Sequence, residues 1–182
     1  MKTRILTTII LITTLCMMSS CSDNSTSADD DREGSATFSI SGDLQGSRSG
    51  SASFPPVDAS LDWELWIYSL GDGGFSLDIR LFPDIETPGP PPTGTYSIGD
   101  IDDESSDAYA VYSQFTGGAI PEIYTTREGG GYGGSVTITE SNNDVVRGTF
   151  QFTAGRWDNS SESFTGEISI TNGNFTARRE RF

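Results

Sequence analysis

The stretch Leu61-Asp62-Trp63-Glu64-Leu65-Trp66-Ile67-Tyr68 is followed, across Gly71-Asp72-Gly73-Gly74, by Phe75-Ser76-Leu77-Asp78-Ile79-Arg80-Leu81. Leu61, Trp63, Leu65 and Ile67 fall on one phase of the first half. Phe75, Leu77, Ile79 and Leu81 do the same in the second. Successive side chains of a strand point to opposite faces, so this period of two predicts β structure with one buried face. A helix would need apolar residues at i, i+3, i+4 and i+7, a pattern missing over any useful length beyond the N-terminal leader. The glycine turn makes the two halves a hairpin.

Outward from this hairpin the same alternation recurs. Upstream, Ala36, Phe38 and Ile40 alternate with Ser35, Thr37, Ser39 and Ser41, and a weaker serine-rich strand spans Ser47–Phe54. Downstream, the loop Pro83–Thr93 holds Pro90-Pro91-Pro92, which cannot donate to a sheet ladder. Strands are then expected at Gly94–Ile98, Ala108–Phe115, Ile120–Thr126 and Val136–Thr139. The last third predicts Val145–Ala154, a polar loop holding Trp157, and Phe164–Thr171. Asn172-Gly173 reads as a hairpin turn, because both turn residues need positive φ, with Phe175 and Ala177 beginning the returning strand. The fold expected is all-β: an antiparallel β-sandwich or open barrel of about eight to ten strands.

The chain begins with Lys2 and Arg4, an apolar run from Ile5 to Met18, then Ser19-Ser20-Cys21. A basic start, a short apolar run and a small-residue exit describe a secretory signal. A membrane span needs about 20 predominantly apolar residues, and this run is shorter and broken by Thr7, Thr8, Thr13 and Thr14. Met18-Ser19-Ser20-Cys21 resembles the lipobox of bacterial lipoproteins, with Met18 in place of the usual leucine. Cys16 is the poorer acylation site, because Leu15 stands directly before it. The resemblance implies cleavage before Cys21 and acylation of its sulfur, and it explains an otherwise solitary thiol. The expected organisation is a signal peptide over 1–20, a lipidated Cys21 with a disordered acidic tether over 21–34, and one all-β domain over 35–182. Ser22–Gly34 has no aromatic or branched aliphatic residue with which to offset its ordering entropy.

Composition excludes more than it suggests. The chain carries 11 basic and 26 acidic residues, a net charge of −15, and no histidine. Without residues 1–20 the count is 9 basic against 26 acidic, or −17, with no lysine and no cysteine but Cys21. Ser-His-Asp and Cys-His nucleophiles, His- or Cys-bound zinc, Schiff bases and phosphate-loop lysines are therefore excluded from that portion. Nucleic acid is not an expected partner, since binding it rests on Lys and Arg neutralising phosphates. No cofactor is expected.

Four segments recur in this order in a known group: Gly94-Thr95-Tyr96, Gly134-Ser135-Val136-Thr137-Ile138-Thr139, Gly148-Thr149-Phe150-Gln151-Phe152-Thr153-Ala154 and Ile170-Thr171-Asn172-Gly173-Asn174-Phe175. Over Thr93–Arg178 the chain resembles bacterial lipoproteins classed only as a domain of unknown function. The resemblance brings no catalytic residue with it.

Three candidate sites follow. Gly129, Gly131 and Gly134 have dinucleotide-fingerprint spacing, but that fingerprint requires a helix next and a strand is expected, so the match is discarded. Asp100, Asp102, Asp103, Glu104 and Asp107 form a weak calcium candidate; without EF-hand spacing a solvated acidic loop is the favoured reading. Trp66 and Tyr68, opposite Trp63, Leu65 and Ile67, form a possible ligand platform suited to sugar rings. The favoured alternative has them covered, with the Pro-rich loop as the cover. These features lead us to expect an outer-membrane lipoprotein, facing the periplasm or the cell surface, with a non-catalytic binding or structural β domain. Its partners are the membrane, through the lipid anchor, and an envelope protein or a glycan. The rival is a glycan-handling protein, either a carbohydrate-binding module or a carboxylate glycoside hydrolase.

Overall fold

The structure is a computed structural model that describes residues 33–56, 62–71, 73–82, 89–117, 120–158 and 160–180. The signal segment, Cys21 and nearly all of the tether lie outside the described residues. Ten strands and no helix make up the described chain: β1 (Ser35–Gly42), β2 (Gly46–Phe54), β3 (Trp63–Ser69), β4 (Phe75–Leu81), β5 (Gly94–Ile98), β6 (Ala108–Gln114), β7 (Glu122–Thr125), β8 (Gly133–Ser141), β9 (Val145–Asp158) and β10 (Ser163–Arg179). All belong to one mostly antiparallel sheet. Its pairings run β1–β2–β3–β4–β6–β7–β9–β10 and return to β1, a ring-like arrangement. It is not a continuous barrel, because β7 meets β9 at two residue pairs and β5 meets β6 at one.

The inward phase is the one that alternation predicts. Trp63, Leu65 and Ile67 of β3 and Phe75, Leu77, Ile79 and Leu81 of β4 are all buried. They meet Phe38, Ile40, Phe54, Phe150, Phe152, Ile168 and Ile170 from the facing strands in one core. Phe38 is its aromatic hub, with Phe75 at 5.4 Å, Phe150 at 5.8 Å and Tyr112 at 6.3 Å between ring centroids. Gln114 continues the inward phase of β6 and is buried. It accepts from the Tyr112 hydroxyl at 2.7 Å and donates to the Gly73 and Gly74 carbonyls at 2.9 and 3.0 Å, which fastens the β3–β4 turn to β6.

Two sequence expectations are corrected here. Asn172-Gly173 is not a hairpin turn but a β-bulge inside the 17-residue β10. Between matched pairs, Thr171 and Asn172 stand opposite Gln151 alone on β9, and Asn172 and Gly173 stand opposite Phe38 alone on β1. Asn172 takes the positive φ, 54°, while Gly173 is extended. The extra residue shifts the phase, so Ile168 and Ile170 before it and Gly173, Phe175 and Ala177 after it all face inward. Trp157 does not lie in a loop either. β9 runs through it to Asp158, and Trp157 pairs with Phe164.

The bulge sets up a reciprocal match. Gly148 pairs with Phe175 and Phe150 pairs with Gly173, so each phenyl ring lies over a glycine on the next strand. A Cβ on Gly148 would come within 2.9 Å of the Phe175 ring, and one on Gly173 within 2.5 Å of the Phe150 ring. Gly-Thr-Phe of β9 and Gly-Asn-Phe of β10 thus form one interlocked unit. The glycines make room for rings that cover the bared backbone.

Candidate functional site

The outward faces of β3, β4 and β6 form a grid whose positions follow from their register. Glu64, Arg80 and Tyr109 lie in one row, Trp66, Asp78 and Val111 in the next, and Tyr68, Ser76 and Ser113 in the third. All nine are half-buried, and the core side chains of the same strands lie on the other face. On the flanks, Ser53 pairs with Trp66, and Thr125 and Ile123 of β7 pair with Val111 and Ser113.

Trp66 and Tyr68 therefore share the outer face, as alternation predicts. The Trp66 indole N–H donates to Glu64 at 3.0 Å, and Glu64 is also ion-paired to Arg80. The Arg80 guanidinium lies 6.0 Å from the centre of the Tyr109 ring, and Arg127 lies 5.5 Å from it. Phe82 packs on the same ring at 5.6 Å.

Asp78, at the centre of the grid, has no hydrogen-bond or ion-pair partner among the described residues. Burial between Trp66 and Val111 pushes its carboxyl above the usual value of 3.8. The charged groups facing it are Glu64 on β3 and Arg80 on its own strand, with the Tyr109 phenol on β6. Folding thus favours the protonated acid: the benefit is complete below pH 3.8 and is lost as pH rises through the raised value. Asp78→Asn is therefore expected to raise the urea midpoint at pH 7. The difference from wild type should vanish below pH 3.8, and a variant less stable at pH 7 would contradict this account.

The acidic loop uses most of its carboxylates internally. Asp100 accepts from the Asp102 N–H at 3.1 Å and Asp103 from the Ser105 N–H and hydroxyl at 2.9 and 2.7 Å. Asp107 accepts from the Ser97 N–H and hydroxyl at 2.7 and 2.8 Å, while Glu104 is exposed. The Ser105 bonds hold the Asp103 carboxyl below its ordinary range. Among the described residues no three His, Cys, Asp or Glu side chains are grouped to hold a metal ion. Gly129, Gly130 and Gly131 all take positive φ, and β8 follows them, so no helix N-terminus is present for a pyrophosphate.

Sequence reasoning singled out Trp66 and Tyr68 but not Asp78 or Gln114. Phase alone places Asp78 outward; only the β3–β4–β6 register sets it between an indole and a valine. A glutamine on the inward phase of β6 was the legible sign of the interior polar bonds.

Residues 85–177, or 93 of 182, match the family described as Domain of unknown function (DUF6252). The chain belongs to this family, and the match spans β5 to β10 with most of the last strand. Comparison with curated proteins and with solved structures finds no match.

Proposed function

We propose that this chain is a lipid-anchored lipoprotein of the outer membrane, facing the periplasm or the cell surface, whose β domain binds a partner and does not catalyse. The observation that carries the anchor is Cys21, the one cysteine after residue 20, at the end of the lipobox-like Met18-Ser19-Ser20-Cys21. A single acyl chain holds a protein to a bilayer only marginally, whereas two or more, at about 0.8 kcal/mol per buried CH₂, make the attachment stable. The outer grid supports the binding reading, because it sets half-buried aromatics and the Asp78 carboxylate on one face while the ring's interior is filled by its core.

The test is labelled fatty acid incorporation with mass spectrometry of the membrane fraction. Wild type should take up label and yield an N-terminal peptide that begins at acylated Cys21. Cys21→Ser should take up none and keep residues 1–20. Membrane-bound wild type with an unmodified Cys21 would overturn the anchor.

The half-buried outward pair Trp66 and Tyr68 favours a second reading, a glycan-handling protein. Glu64 and Asp78 occupy diagonal positions on the same face, which are about 7–8 Å apart in an antiparallel pair. That is a backbone spacing from which two carboxyl groups can reach the roughly 5–10 Å separation that carboxylate hydrolases use. The ion pair of Glu64 with Arg80 weighs toward binding rather than hydrolysis. A saccharide array probed with wild type and Trp66→Ala tests it: retention lost in the variant supports the glycan reading, and an empty array removes it.

A further inference from the structure

We propose that the outer face of β3, β4 and β6 docks a basic protein partner, with Asp78 receiving a lysine or arginine side chain laid against Trp66 and Tyr68. The inference rests on the binding-module reading above and adds the partner's chemistry to it.

Asp78 stands at the middle of the face with no ion-pair partner among the described residues. Arg80, the cation on its own strand, is already held by Glu64 and the Tyr109 ring. A half-buried carboxylate without a partner loses part of the solvation that a cation would return. The neighbouring row displays the same chemistry within the chain, where Arg80 and Arg127 both lie against Tyr109. No such cation lies over Trp66 or Tyr68 among the described residues, and aromatic faces attract ammonium and guanidinium groups.

Shape and charge select the carrier of that cation. Small-molecule sites are concave and enclose most of their ligand, whereas this site is the open face of a sheet. The cation must therefore come on a surface that covers the remainder, including Val111 and Ile123, the latter 44% exposed. A net charge of −15 steers a basic partner toward the chain and repels a second copy of it.

The probe is the peptide Arg-Val-Arg-Val-Arg, titrated calorimetrically into the purified chain, with a citrulline-for-arginine version as the neutral control. Asp78→Asn should weaken binding roughly tenfold or more, while Glu104→Gln, the same charge change on an exposed loop residue, should stay within about twofold. Thermal midpoints recorded alongside confirm that both variants are folded. Equal losses in the two variants would reduce the effect to general electrostatics and overturn the site. Equal binding of the citrulline peptide, or no binding of the arginine peptide, would overturn it too. The Cys21→Ser experiment reads the anchor separately, so loss of this site leaves the anchor standing. A neutral saccharide that binds through Trp66 where the peptide does not would give the face to a glycan.

Discussion

Gly173→Ala is expected to destabilise the domain by about 3 kcal/mol, the upper end of the usual cost of overpacking. At roughly 3 °C per kcal/mol for a domain of this size, the thermal midpoint falls by about 10 °C. The added methyl would sit 2.5 Å from both the Phe150 ring and the Phe150 carbonyl oxygen. The ring cannot retreat, because Phe38, Phe152 and Phe175 surround it at 5.8, 6.5 and 6.2 Å. Backbone conformation is not the cause, since the residue with positive φ is Asn172. A second substitution separates room from conformation. Phe150→Leu in the Gly173→Ala background should recover part of the loss, so that the two changes together cost less than their sum. Strict additivity, measured by urea unfolding of all four chains, would refute the space argument.

That result bears on what the sequence could disclose. Asn-Gly between two apolar runs is a strong hairpin signal because its chemistry is local. What defeats it here is distant: Gly173 lies opposite Phe150, and Gly148 opposite Phe175, on a strand already committed to pairing. The apolar phase changes across Asn172, with Ile168 and Ile170 even and Phe175 and Ala177 odd. A bulge and a turn both produce such a change. Trp157 differs from its sequence expectation for a related reason: its polar neighbours Asp158, Ser160 and Ser161 read as a loop, while pairing with Phe164 keeps it in the strand. The all-β class, the β3–β4 hairpin and the faces of its residues were legible, because a period of two needs no knowledge of partners. Register was not. It makes neighbours of Trp66, Asp78 and Val111, residues drawn from three strands, so the candidate site could be glimpsed in the sequence only as Trp66 and Tyr68.

The pair Trp63 and Trp66 tests that face assignment with two substitutions three residues apart. Trp63 is 3% exposed, packs against Phe54 at 5.8 Å and pairs with Leu81. Trp63→Ala is expected to cost about 3–5 kcal/mol, the range for deleting a large aromatic side chain from a core. Its indole Nε1 is buried without a hydrogen-bond partner among the described residues, so Trp63→Phe removes an unsatisfied donor along with some volume and should cost much less. Trp66 is half-buried on the other phase, bonded to Glu64 and opposite Asp78. Trp66→Ala gives up a cross-strand contact on a solvated face, at about 1 kcal/mol or less. Urea midpoints should therefore fall steeply for Trp63→Ala and only slightly for Trp66→Ala. Equal losses would mean that both faces of β3 are sealed against water. Asp78 would then be enclosed beside Trp66, and neither a glycan nor a basic partner could reach it from this side of the sheet.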